Sequence, residues 1–304
     1  DVAVPVGKVV YTPVLNEYGG FETDVTVTRF SEDSFFIVTA AAAVVHDEDY
    51  FRRRITADAR VAITDVTHGH AMLALMGPKS RDLLQTLTNA GLSNEAFPYG
   101  TAQEIDVAYA RPWALRMSYV GELGWELYIP TMFALAVFDE ILEKGKQFGL
   151  RLVGMQAVNS LRLETGYRHW ESDITPDETP YEAGLGFGVK LDKGDFIGRD
   201  ALAKQKESGL KRKLVMFTLD DPDVMLYGSE PMYRDGVWMD NLRSGAYGFK
   251  VGSAVGMGYV KCEDSITEEW ILNGKYELEV QGKMIPAKVH IRSPYDPKNE
   301  RTRM

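Results

Sequence analysis

A chain of 304 residues with a formal net charge of -10, 45% hydrophobic and 26% charged residues has the make-up of an ordinary globular protein, with material for two or three domains. Its acidic balance argues against a general nucleic-acid binder, which needs basic surface to offset phosphates, but leaves room for a local basic patch toward a small anion. No apolar run approaches the roughly 20 residues of a bilayer span, and no charged-then-apolar leader opens the chain, so neither a membrane nor an export signal is expected.

In chain order, residues 8–15 read as a strand and 16–20 as a turn, with Gly19 and Gly20 supplying the positive-φ positions. Residues 24–30 alternate as a half-buried strand, and 35–39 form another. The Ala-rich, then charged stretch 40–60 reads as a helix. Residues 71–76 form a strand ending at Gly77-Pro78, and 79–88 a helix with Leu83, Leu84 and Leu87 on one face. The runs 113–119 and 125–129 read as paired strands around a turn at 121–124. Thr131 is placed to cap a helix carrying Leu135, Val137, Phe138, Ile141 and Leu142, and 156–164 reads as helical. The polar, Pro-bearing stretch 171–182 reads as a loop. From Lys211 the texture changes: short β-rich runs at 213–219, 231–239, 255–260, 276–280 and 284–292, broken by Gly or Asp, suggest a small barrel or sandwich. The expected class is therefore α+β to about residue 190 followed by a mostly β portion, with the boundary in 190–198.

Cys262, the only cysteine, cannot form an intramolecular disulfide, which fits a reducing compartment, and it reads as a small half-buried side chain. The chain opens on Asp1 and enters at once on what reads as domain interior, the expectation for a processed chain or a fragment of something longer.

Several polar residues carry two readings each. Asp24, at a strand start after the Gly pair, is either a turn carboxylate facing water or an acid pointing into a cleft, where it bonds a protonated ligand nitrogen. Glu122 and Glu126, four apart, would share a face in a hairpin. Glu126, between Trp125 and Leu127, is either an outward strand residue or a carboxylate matching two adjacent ligand N–H donors. Arg162 is a surface ion pair with Glu164 nearby, or a guanidinium fork facing a cleft. Tyr11, Tyr119, Tyr167 and Trp170 are core aromatics or the walls of a flat-ring site. His68-x-His70 has strand spacing for a metal but no third ligand, so no metal is expected. His169 reads as structural, with a proton carrier beside a cleft as the alternative.

Three strings carry a family resemblance: Y-T-P-V-L-N-E-Y-G-G-F-E-T-D-V-T-V-T (11–28), Y-V-G-E-L-G-W-E-L (119–127) and N-S-L-R-L-E-T-G (159–166). Together they resemble the aminomethyltransferase (glycine-cleavage T-protein) family. The stretches H-W-E-S-D-I-T-P-D-E-T-P-Y-E-A-G-L-G-F (169–187) and D-F-I-G-R-D-A-L (195–202), with the terminal S-P-Y-D-P (293–297), are more similar to the folate-binding portion of sarcosine and dimethylglycine dehydrogenases. Three departures stand out. The family's first segment is absent before Tyr11, Val120 replaces the family's Thr, and a later T-S-G-x-x-S-P pattern reads R-S-G-A-Y-G-F (243–249).

The resemblance implies a multi-domain α+β cloverleaf with a C-terminal β-barrel-like domain, divided 1–80, 81–192 and 193–304. It implies tetrahydrofolate as cofactor, bound by Tyr11, Asp24, Tyr119, Glu126, Arg162 and Trp170, with Asp24 as the catalytic acid. It implies transfer of a one-carbon unit from a methylated amine or aminomethyl donor to give 5,10-methylenetetrahydrofolate, in the cytoplasm or, in a eukaryote, the mitochondrial matrix. The alternative is a folate-binding accessory domain of a flavin-dependent dehydrogenase, inactive alone. A scaffold role of the iron–sulfur assembly type is disfavoured, because that branch's K-G-C-Y-x-G-Q-E appears here as K-G-D-F-I-G-R-D (193–200), without the cysteine.

Overall fold

The opening V-V-Y-T-P-V-L and F-E-T-D-V-T-V-T-R runs form β1 (Val9–Leu15) and β2 (Phe21–Arg29). With β3 (Phe35–Val38) they make an antiparallel sheet in the computed structural model, which describes residues 2–304. Along β2, Phe21, Thr23, Val25 and Val27 are buried while Glu22, Asp24 and Thr26 face a less packed side. The turn joining β1 to β2 needs both glycines, for different reasons. Gly19 has a φ of +81°, which a side chain resists, whereas at Gly20 a Cβ would lie 1.8 Å from the Pro176 carbonyl oxygen. The Asn16 side chain secures this turn, donating to the Pro176 carbonyl (3.1 Å) and accepting from the Tyr18 and Gly20 amides (3.0 Å each).

The helix expected over 40–60 is shorter. A 3-10 turn at Ala41–Ala43 leads into α1 (Val44–Arg52), and no regular element follows until Thr67. The apolar face ends at Tyr50, whose hydroxyl donates to the Leu15 carbonyl, and β-branched Ile55 and Thr56 continue no helical stripe. His68 lies in the 3-10 turn Thr67–Gly69 while His70 opens β4, so the two imidazoles do not share a strand face.

A second sheet, in the order β4-β7-β6-β5, is built from β4 (His70–Met76), β5 (Ala102–Glu104), β6 (Trp113–Leu115) and β7 (Gly124–Pro130). Helices α2 (Ser80–Gln85) and α3 (Ala134–Gly145) cover one face, where Leu75, Leu83, Leu84, Trp125, Leu127, Ile129, Val137 and Ile141 share a core. β6 stops at Leu115, short of the expected Tyr119, because the Met117 amide folds back onto the Leu115 carbonyl (3.0 Å) and the Arg116 side chain turns inward. Thr131 does not cap α3. It opens a 3-10 turn and its hydroxyl donates to the His68 carbonyl (2.8 Å). The first two sheets meet where the Val9 amide donates to the Gly100 carbonyl (3.0 Å) and the Ala102 amide to the Gly7 carbonyl (2.7 Å). Val9, Leu115 and Tyr128 pack there with Phe36 and Trp113.

Beyond α4 (Met155–Glu164) and α5 (Arg199–Ser208) the remaining strands close a six-stranded barrel. They are β8 (Arg212–Leu219), β9 (Pro231–Arg234), β10 (Val237–Gly248), β11 (Ser253–Lys261), β12 (Tyr276–Val280) and β13 (Lys283–His290), with the short α6 (Glu268–Leu272) before β12. The run expected as one strand over 231–239 is two, turned at Asp235 (φ 52°) and Gly236 (φ 79°), an Asp-Gly hairpin. β8 is apolar on both faces because both are covered. Val215, Phe217 and Leu219 fill the barrel, while Leu214 and Met216 pack outward with Leu163 of α4. After β13 the chain returns to the second sheet's lobe. Tyr295 and Arg301 bond Glu122 (2.7 and 3.0 Å), and buried Arg116 donates to the Met304 carbonyl (2.7 Å).

Gly20→Ala is expected to cost about 2–3 kcal/mol of unfolding free energy, the scale of overpacking against fixed backbone. Gly69→Ala, which meets nothing within 4 Å, serves as the control and is expected to change stability by less than about 0.5 kcal/mol. Urea unfolding of both variants measures the difference.

Candidate functional site

The centre of the molecule is an ion pair. Arg162, on the last turn of α4, is 2% exposed and bonds Asp173, which is 0% exposed. The same guanidinium donates to Asn159 Oδ1 (2.9 and 2.7 Å), Ser244 Oγ (2.7 Å) and the Tyr167 carbonyl (3.1 Å). Asp173 in turn accepts from Ser244 Oγ (2.7 Å) and the His169 amide (2.9 Å), and Tyr259 of the barrel donates to its carbonyl (2.9 Å). A buried pair of this kind survives only when the remaining polar valences are met, as they are here. The network fixes loop 167–174 against both α4 and the barrel.

That loop faces β1 and β2. Tyr11 Oη donates to Asp24 Oδ2 at 2.9 Å, engaging one carboxylate oxygen. The register sets Pro13 against Asp24 and Tyr11 against Thr26, so the two side chains meet diagonally on one sheet face. Trp170 and Tyr11 pack against Phe21, Ile174, Ala183 and Leu185. The Trp170 indole N–H is buried with no hydrogen-bond partner. Tyr119 and Tyr167 stack with ring centroids 6.3 Å apart, and Tyr119 Oη donates to the Arg168 carbonyl (3.1 Å). Gly121 (φ +73°) lets the 119–122 turn close on α4, since a Cβ would lie 2.2 Å from Thr165. A cavity of about 200 Å³ opens here, lined by Tyr119, Met155, Gln156, Val158, Asn159, Arg162 and His169.

Of the residues expected at a site, Tyr119 and Arg162 line this cavity, and Tyr11, Asp24 and Trp170 form the adjoining cluster. Glu126 stands on β7, accepting from Tyr128 Oη at 2.8 Å. It is not among the residues that line the cavity. Glu122 precedes β7 and holds the C-terminal segment through Tyr295 and Arg301. Asp173, Asn159 and Ser244 were not anticipated. Asp173 lies in the stretch read as a loop, and Ser244 in the R-S-G-A-Y-G-F segment noted as a departure. Nothing in the local sequence ties either one to Arg162.

Burial pushes the Asp24 carboxyl above the ordinary carboxylate range, opposed by the Tyr11 hydrogen bond and the charge of His169. Burial and then the Asp24 charge hold the Tyr11 hydroxyl well above its usual range, and burial pushes Tyr119 up to about 12. Burial also raises Glu126, with the Tyr128 bond opposing. At neutral pH the tyrosines are therefore neutral donors. Because the Asp24 carboxyl is raised in the folded state, its contribution to stability is present below the unfolded value near 3.9 and is lost as pH rises through the folded value. Holding this carboxylate ionised is thus a cost to the fold.

This architecture, two joined α+β sheets and a closed barrel around a buried loop, defines a class before any comparison is made. Residues 1–193 match the GCVT N-terminal domain and residues 212–296 the glycine cleavage T-protein C-terminal barrel domain, and the chain belongs to the glycine cleavage T-protein family. It is 37% identical over 320 residues to mitochondrial sarcosine dehydrogenase of Mus musculus, covering 100% of this chain and 35% of that protein. It is also 37% identical to the mitochondrial pyruvate dehydrogenase phosphatase regulatory subunit of Mus musculus, over 96% of this chain and 35% of that one. The chain thus spans about a third of the length of these relatives. The crystal structure of the glycine cleavage system aminomethyltransferase T from Bartonella henselae superposes with a TM-score of 0.80 at 26% identity, over 95% of this chain and 76% of that one. Among the described residues no helix is long and apolar enough to cross a membrane.

Asp173→Ala strands the Arg162 guanidinium in the interior and is expected to cost about 3–5 kcal/mol in urea unfolding. A loss under about 1 kcal/mol would mean that Asn159, Ser244 and the Tyr167 carbonyl suffice for Arg162.

Proposed function

We propose that this chain binds tetrahydrofolate against the Tyr11–Asp24 cluster and the Tyr119–Tyr167 stack, and acts in transfer of a one-carbon unit from a methylated amine or aminomethyl donor, giving 5,10-methylenetetrahydrofolate. The observation that carries this reading is Asp24 itself, a carboxylate held in a poorly solvated setting by one tyrosine hydrogen bond beside aromatic walls. The groups present suit a folate. Trp170 offers an unpaired buried N–H to an acceptor, the stacked tyrosines offer a flat face, and the second Asp24 oxygen can accept from a ligand N–H. Glu126 is proposed to read the pteridine's adjacent N–H donors, and Arg162 to act by holding the cavity wall, since its nitrogens are engaged by protein partners.

Bound tetrahydrofolate supplies the nucleophilic nitrogens. The protein's own part is to orient the partners, exclude water and stabilise positive charge as it develops beside Asp24. A fixed carboxylate in a low-dielectric site does this better than water. We also propose that the first two lobes divide near residue 69 rather than 80, because β4 pairs with β7.

A second reading is supported by how small a part of its relatives the chain spans, and by one relative's being a regulatory subunit. It is a folate-binding accessory domain whose donor is generated by a flavin dehydrogenase partner. Transfer assays with formaldehyde as donor, run with and without such a partner, separate the two.

Asp24→Asn is expected to slow transfer on the order of 100-fold or more with the fold intact. It is also expected to abolish an acid limb in the pH profile of folate binding that lies above the ordinary aspartate range. Transfer at the parental rate would remove Asp24 from the chemistry. Glu126→Ala is expected to weaken tetrahydrofolate binding by about 1–3 kcal/mol in calorimetry, the scale for stranding ligand donors.

A further inference from the structure

His169 is the one cavity-lining imidazole, and its surroundings treat it as a positioned group rather than as packing. Its main chain is held at both ends. Its amide donates to Asp173 Oδ2 (2.9 Å), and its carbonyl accepts from the amides of Asp173 (2.8 Å), Ser172 (3.3 Å) and Ile174 (3.4 Å). Its side chain nevertheless remains exposed while both sequence neighbours are drawn inward. Arg168 bonds the Gly166 and Ala183 carbonyls, and Trp170 packs in the cluster with Tyr11. An imidazole so placed, rigid in backbone, with its Nδ1 3.4 Å from the Ser172 hydroxyl and its ring on the cavity lining, suits proton traffic better than it suits stability.

The chemistry of the proposed transfer calls for such a carrier. When a carbon passes from an iminium donor to two N–H nitrogens of an acceptor, two carbon–nitrogen bonds form and the carbon–nitrogen double bond to the donor is broken. The acceptor nitrogens release two protons, and both are needed for the donor nitrogen to depart as an ammonium ion. Charge and atoms balance, with no change of oxidation level. A proton must therefore cross the site from the acceptor nitrogens to the departing amine, while Asp24, bonded to Tyr11, holds the positive charge that develops.

We propose that His169 is the proton carrier of this cavity, moving a proton between the acceptor nitrogens and the departing amine. The inference rests on the folate reading above. The charge of His169 acts on the Asp24 carboxyl, in the direction of favouring its ionised form. The other charged and titratable groups around the loop are Arg162 of α4, Tyr167, Arg168, Glu171 and Asp173 on the loop itself, Tyr11 of β1, Tyr119, His46 and Asp47 of α1, and Tyr259 of β11.

The test uses the full chain and has two independent arms. In the ligand-free protein, the His169 ring resonances are compared by NMR between the parent and Asp24→Asn. Removing the carboxylate charge is expected to move them, and unchanged ring resonances overturn the pairing. In the second arm His169→Gln and His169→Ala are assayed with tetrahydrofolate and formaldehyde plus a primary amine as donor. Calorimetric affinity for tetrahydrofolate is expected within about threefold of the parent, transfer is expected to fall on the order of 100-fold, and added imidazole is expected to restore part of the rate in the alanine variant. Parental transfer rates with the parental pH profile overturn the proposal. Failure of the parent itself to bind tetrahydrofolate would overturn the folate reading, and with it the carrier role, while the first arm still reports on the His169–Asp24 pairing.

Discussion

The buried pair of Arg162 and Asp173 is the joint on which the rest of the molecule turns. Neither charge has water to solvate it, so each must be satisfied by fixed partners, and those partners come from α4, from loop 167–174 and from β10 of the barrel. Removing any one of these bodies leaves a buried charge unmet. The pair contributes less to net stability than to uniqueness of arrangement, since two apolar residues could fill the same volume without dictating where the loop must sit. By dictating it, the pair sets the positions of His169 and Trp170 relative to β1 and β2. The Asn16 side chain and the crowded Gly20 do the same from the other side, through Pro176.

The electrostatics of the cavity pull against the fold. Arg162 is fully paired, so its charge is largely consumed within the protein, while Asp24 is given a single hydrogen bond and a dry setting that disfavours its ionised form. The surrounding tyrosines, pushed upward by burial, remain neutral and contribute donors and flat surface rather than charge. A site with one under-compensated carboxylate has the largest gain available to it when a positively charged partner arrives.

How much of this was legible depends on the range of the interaction involved. Strand β2 and the barrel runs were read from alternation and from turn residues, because those signals are local. The β8 run was recognisable although both its faces are covered, since Lys211 and the Asp-rich turn after Leu219 bound it. The helix over 40–60 was overcalled because alanines and charges score as helical while offering nothing to pack, and β10 was half missed because N-L-R-S-G-A-Y-G lacks an apolar face. At the site, the Tyr11–Asp24 and Tyr119 strings were found through family resemblance rather than through spacing, which left their bland readings open. Asp173 and Ser244 were invisible for a physical reason. Their partner, Arg162, is separated from Ser244 by 82 residues, and no periodicity encodes a contact made only when a barrel closes on a helix.

The return of the chain after β13 has a consequence for how the molecule assembles. Arg301 reaches Glu122 across 179 residues, and the Arg116 bond to Met304 spans 188, so the closing segment cannot dock until the second sheet and the barrel already exist. Such late contacts act as a latch rather than a nucleus. They resist opening more than they hasten formation, so their loss is expected to speed unfolding while leaving the rate of folding nearly unchanged.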